Sequence, residues 1–180
     1  MSMPRIGVTG HRKLADMAAI EAGVDAALAT IETRFPKEPL RILSSLAEGA
    51  DRLVVRRVLL RPGARLVAVL PLPRLDYMTD FKSQQSREEF LALVGEAETV
   101  IEMPARDNRV EAYEQAGRYV VEHSDVLVAV WDGLPARGRG GTAEIAAWAR
   151  GLGKAVIRVW PGVADVSGLR RGRRASPRRK

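Results

Sequence analysis

The chain has 180 residues, a length that suits one domain, and its 46% hydrophobic content is enough to build a core of that size. It has no cysteine, which excludes disulfides, thiolate nucleophiles and cysteine-based zinc sites and fits a reducing, cytoplasmic setting. The net charge of +7 is local: the last twelve residues hold six arginines and one lysine without an acid, which leaves 22 basic against 22 acidic residues in 1–168. A neutral body suits a small-ligand domain, because a nucleic-acid reader carries its positive stripe on the folded surface.

The N-terminal Met1–Arg5 lacks the apolar core of a secretory signal, and no apolar run approaches the roughly 18 residues that would span a bilayer. Short apolar runs then alternate with longer amphipathic ones, the pattern of βαβ units. The first strand, Arg5–Thr9, ends in Thr9-Gly10-His11-Arg12. A helix follows over Leu14–Arg34, with Met17, Ile20, Val24, Leu28 and Ile31 on one stripe. A second strand, Leu40–Ser44, runs into Ser45–Asp51 and a helix over Glu48–Leu60, which Pro62-Gly63 stops.

The third strand, Arg65–Leu70, leads through Pro71–Arg74 to Asp76-Tyr77. A helix is predicted over Asp80–Glu96, carrying Phe81, Phe90, Leu91 and Val94. After a strand at Thr99–Met103, a helix over Arg109–His123 lines up Val110, Tyr113, Gly117 and Val120. The fifth strand, Asp125–Trp131, gives Asp132-Gly133 and then Gly138–Glu144, which opens a helix over Thr142–Leu152. A sixth strand spans Ala155–Trp160. The strands are near-continuous in Val, Leu, Ile and Ala, as strands buried on both faces are. The expected fold is a three-layer, Rossmann-like α/β domain over 1–164, with about six mostly parallel strands flanked by helices. Residues 165–180 are expected to form a basic, disordered tail.

Ligands of open parallel sheets bind beyond the carboxyl ends of the strands. Gly140 and Gly141 precede a helix and permit close approach of a ligand. The amides of Gly141, Thr142 and Ala143 would be donors at a helix start, suited to a phosphate, with the Thr142 hydroxyl as cap or further donor. An ordinary glycine-rich loop is the plain alternative. Gly7, Thr9 and Gly10 leave room beside the first strand. His11 can stack on a base, hydrogen-bond it or cap the helix, and Arg12 can grip a phosphate bidentately. Glu48 and Asp51 stand in a helix first turn, where the dipole alone explains them, although Glu48 can also accept from a ribose hydroxyl or act as a base. Ser45, Gly49, Pro71, Asp132, Gly133 and Arg139 complete the candidate ligand set, with Glu48 and Glu144 as candidate catalytic acids. His11 and His123 are too far apart to make a zinc site, and no metal or cofactor is expected. The pattern at Gly7–Arg12 departs from the dinucleotide fingerprint.

The stretches Ile6–Arg12, Ser44–Leu53, Pro71–Phe81 and Asp125–Ala146 resemble the SLOG superfamily, which unites DNA-processing protein A with the LOG phosphoribohydrolases. The resemblance runs across about 140 residues. It implies a nucleotide pocket with its phosphate end at Gly140–Thr142 and its base or sugar end near Gly10–Arg12 and Ala47–Gly49. Some members are ligand sensors, and others cleave the N-glycosidic bond of nucleoside monophosphates. The hydrolase branch carries P-G-G-x-G-T-x-x-E. Here Glu144 follows Thr142 by two residues rather than three, which rotates the carboxylate by about 100° on a helix. The leading expectation is therefore a nucleotide-binding sensor. The alternatives are an N-ribohydrolase and a nucleic-acid adaptor acting through the arginine tail. A homodimer is expected, with Phe90, Leu91, Leu93 and Val94 as excess apolar surface.

Overall fold

A computed structural model describes residues 3–36, 38–135 and 141–165. Six strands lie parallel: β1 (Arg5–Gly10), β2 (Arg41–Ser44), β3 (Arg65–Leu70), β4 (Thr99–Glu102), β5 (Val126–Val130) and β6 (Ala155–Trp160). A short β7 (Val163–Asp165) pairs antiparallel with β6, so the order across the sheet is β4-β3-β2-β1-β5-β6-β7. The helices are α1 (Met17–Arg34), α2 (Ala50–Leu59), α3 (Arg74–Met78), α4 (Gln84–Glu96), α5 (Arg109–Glu122) and α6 (Thr142–Gly151). The domain is thus a three-layer α/β fold of the Rossmann-like kind.

Alternation along the strands sorts the two faces. Ile6 and Val8, Leu66, Ala68 and Leu70, and Val126, Val128 and Val130 point to one side, into a core shared with α1, α2 and α4. Leu127, Ala129 and Val156 point to the other, against Ile145, Ala146 and Ala149 of α6. On that side Val67 and Val69 meet Ala116 and Val120 of α5. Strand direction and a period of two place both sets of apolar side chains out of water.

Chain order makes β1/β5 the switch point. From β1 the chain steps outward through β2, β3 and β4 on one side, then returns to add β5 and β6 on the other. The loops that leave β1 and β5 therefore run to opposite faces and open a crevice at the carboxyl edge.

Several expectations change. The helix expected over Asp80–Glu96 starts at Gln84, after Ser83, whose hydroxyl accepts from the Ser86 amide, and a further short helix not expected from the sequence, α3, precedes it, starting after Pro73. The first helix begins at Met17 rather than Leu14, with the Asp16 carboxylate accepting from the Ala19 amide. Met17 and Val110, expected on buried stripes, are exposed because they lie in the first turns of α1 and α5, at the sheet edge. Phe90, Leu93 and Val94 are buried within the chain, so of the proposed excess apolar surface Leu91 alone is exposed. The chain past Trp160 was expected to lose regular structure, yet it turns at Pro161-Gly162 into β7; residues 166–180, and with them nearly all of the basic tail, lie outside the described residues.

Candidate functional site at the carboxyl edge

Two strand-end turns are locked together beside the switch point. The Ala50 amide donates to the His11 carbonyl at 3.0 Å, and the His11 amide donates to the Val130 carbonyl at 3.0 Å. Gly49 lies at φ +81, and a Cβ there would overlap the Arg12 carbonyl oxygen. At Gly10 a Cβ would overlap the side chain of Ala50 and lie 2.7 Å from the Val130 carbonyl oxygen. Both glycines are required because the β1 turn and the start of α2 approach closer than any side chain allows.

His11 spans the crevice. Its Nε2 lies 3.3 Å from Asp132 Oδ1 in the β5 turn, and its ring meets Trp160 edge to face at 5.4 Å. The β5 turn is braced in turn. The Leu134 amide donates to Asp132 Oδ1 at 3.0 Å, Trp131 Nε1 donates to the Leu134 carbonyl at 3.0 Å, and Gly133 at φ +84 packs under the Arg158 guanidinium.

Arg12 is exposed, and its guanidinium lies over the Tyr113 ring, 5.7 Å from the centroid. Among the described residues it makes no ion pair. Tyr113 donates its hydroxyl to Asp80, which also pairs with Arg109 at 3.1 Å; Arg109 reaches Asp76 as well. Burial, with the Asp80 carboxylate, pushes the Tyr113 phenol up, and burial pushes Tyr77 up. Asp51 is buried below Arg12 in a ring of donors: the Ser44 hydroxyl at 3.0 Å and the amides of Ala47 and Ser45. Loss of water outweighs those donors and lifts its carboxyl to about 6.

The structure gathers Thr9, Gly10, His11, Arg12, Ser45, Gly49, Asp51, Asp132 and Gly133 at this edge, with Pro71 buried just past β3. It removes Gly7 from contact with any ligand. Gly7 is buried in mid-strand, and a Cβ there would lie 2.9 Å from both Val120 Cγ1 and Ser124 Oγ, so the absent side chain makes room for α5. Arg139 and Gly140 lie outside the described residues. Gly141 is the N-cap of α6 and, among the described residues, no side-chain hydrogen bond caps that helix; Thr142, expected as cap or phosphate donor, is its first helical residue. The amides of Glu144 and Ile145 both return to the Gly141 carbonyl, at 3.0 and 3.1 Å.

The two candidate acids are separated by the sheet. Glu48 accepts from the Ser86 hydroxyl at the start of α4, next to buried Arg52, which donates to Ser86 and Glu89 at 2.9 Å. Glu144 lines a groove between α5 and α6 with a volume of about 300 Å³, together with Glu114, Arg118 and Trp148. Tyr77, Asp80, Arg109, Tyr113 and Trp160 are the edge residues that sequence reasoning did not assign. The signal was a polar-tipped aromatic on an otherwise apolar helical stripe at Tyr113.

Among the described residues no group of three or more potential ligands can hold a metal ion, and no helix is long and apolar enough to cross a membrane. No family model matches the chain, and no curated protein matches it.

Proposed function

We propose that this chain binds a nucleotide or nucleotide-derived anion in the β1/β5 crevice and acts as a sensor of that ligand. One observation carries the reading: Arg12 stands exposed at the carboxyl edge without an ion-pair partner among the described residues, on a backbone fixed by Gly49 and Ala50. An exposed guanidinium held in place offers a fork of donors to a phosphate at low conformational cost. Support also comes from the start of α6 at Gly141, which no side chain among the described residues caps, and from the aromatic and polar walls at Trp160, His11 and Asp132. The resemblance to SLOG domains agrees with a pocket between these same loops.

The N-ribohydrolase reading needs a carboxylate beside the ribose. Glu48 is engaged by Ser86, and Glu144 faces the outer groove, so neither observation favours it.

The reading is tested by thermal unfolding of the full chain with AMP, ADP and ADP-ribose, with adenosine as the control that lacks phosphate. A ligand that binds only the folded state at a hundredfold excess over Kd stabilises by about 2.7 kcal/mol. The phosphorylated ligands should raise Tm, adenosine should not, and Arg12→Ala should cancel the difference. No shift with any of them contradicts the proposal.

A further inference from the structure

We propose that Tyr113 is the positioning residue of Arg12, its ring holding the guanidinium where a ligand phosphate meets it; this rests on the nucleotide-binding reading above. The contacts around Gly49 and Ala50 fix the backbone of the β1 turn and do not reach the Arg12 head group. An exposed arginine keeps much of its rotamer freedom, and ordering it on binding subtracts from affinity. The group that meets the head is the Tyr113 ring in the second turn of α5, with Arg12 Cζ 5.7 Å from its centroid. A ring attracts a cation through its quadrupole and leaves the N–H fork for a phosphate. A carboxylate in the same place would occupy that fork.

Carboxylates are at hand, and each is committed elsewhere. Asp80, whose side chain is 15% exposed, accepts from the Tyr113 hydroxyl and pairs with Arg109 at 3.1 Å. Arg109 also reaches Asp76 and donates to the Thr79 hydroxyl at 3.2 Å. The residues from α3 to Asp80 and the start of α5 thus close on Asp80, and Asp80 anchors the far end of the Tyr113 ring. On its inner side the ring meets Tyr77, which is buried, at 6.2 Å between centroids. Held at both ends, Tyr113 presents a fixed surface to Arg12, and Arg12 makes no ion pair among the described residues. A tyrosine that only braced α5 against Asp80 would act through its hydroxyl, and its ring could be dispensed with.

The test uses the full chain and has two readouts, one of which needs no ligand. In the ligand-free chain, NMR should show Arg12 side-chain protons displaced by the ring current, an effect kept in Tyr113→Phe and lost in Tyr113→Leu. Calorimetric titration with AMP, at temperatures where each variant is folded, should show Tyr113→Leu about fivefold to tenfold weaker than wild type. Tyr113→Phe, which keeps the ring, should recover most of that loss. Tyr113→Gln has no ring but can still hydrogen-bond Asp80, so it should bind as weakly as the leucine variant even if the latter folds poorly. Wild-type AMP affinity in the ringless variants overturns the inference and leaves the binding reading standing. An equal loss in Tyr113→Phe and Tyr113→Leu also overturns it, as does an absent ring-current shift in wild type. Failure of wild type to bind AMP, ADP or ADP-ribose contradicts both.

Discussion

Gly49 packs against the carbonyl of Arg12 so closely that no other residue fits, and this contact fixes the β1 turn on the start of α2. Gly49 also lies at φ +81 and ψ −119, a region almost confined to glycine. Gly49→Ala adds backbone strain to a steric clash and should destabilise by at least about 2 kcal/mol. Denaturant unfolding measures the loss. Because the Arg12 backbone must shift, nucleotide-dependent stabilisation should fall further than the stability change alone requires.

Gly7 is a glycine for a different reason, and the two should be separable. Gly7→Ala pushes a methyl into Val120 and Ser124 under α5, with an expected cost of about 1–3 kcal/mol. At temperatures where the variant stays folded, its nucleotide affinity should match wild type, as measured by calorimetric titration.

Asp51 makes stability depend on pH with an uncommon sign. Its carboxyl has a pKa of about 6 in the fold against 3.8 in the unfolded chain, so between these values the folded state binds more protons. The stabilisation is complete below about 3.8 and is lost as pH rises through about 6, a change on the order of 3 kcal/mol. Asp25 works the other way: the Arg57 hydrogen bond holds its carboxyl down against burial, so its contribution is present above 3.8 and fades as pH falls. Denaturation midpoints of wild type and Asp51→Asn from pH 4 to 7 isolate the first effect. The variant's curve should lack the decline through about pH 6 that wild type shows.

Buried Arg52 should be the least replaceable charge in the domain. Its side chain is 3% exposed; Nε donates to the Leu46 carbonyl at 3.0 Å, and its guanidinium lies 4.4 Å from the Phe81 ring centroid. Leu46 is held at φ +58, so this bond also restrains a strained turn. Arg52→Ala strips Leu46, Ser86 and Glu89 of their donor and should cost about 3–5 kcal/mol in denaturant unfolding. Lysine should fail to rescue it, because an ammonium cannot reproduce the fork.

The fold was legible because its strands are buried on both faces. Val126–Val130 and Arg65–Leu70 are apolar runs that only a covered parallel strand explains. What was hidden was local. The prolines at 71 and 73 read as loop, yet Pro73 sits at the N-cap of α3. β7 is three residues long, too short to carry a pattern. At the site, Gly10, Gly49, His11 and Arg12 stood out as residue types, while the cause of the glycines is contact between two turns far apart in sequence. Tyr113 and Asp80 could not be paired from sequence, because their meeting depends on where α5 begins relative to α3.

The most direct measurement is a crystal structure of the full chain grown with ADP-ribose. Density is expected in the β1/β5 crevice, with a phosphate against the Arg12 guanidinium and the start of α6 at Gly141. Ligand density in the α5–α6 groove, or an empty crevice under conditions where binding is saturated in solution, would contradict it.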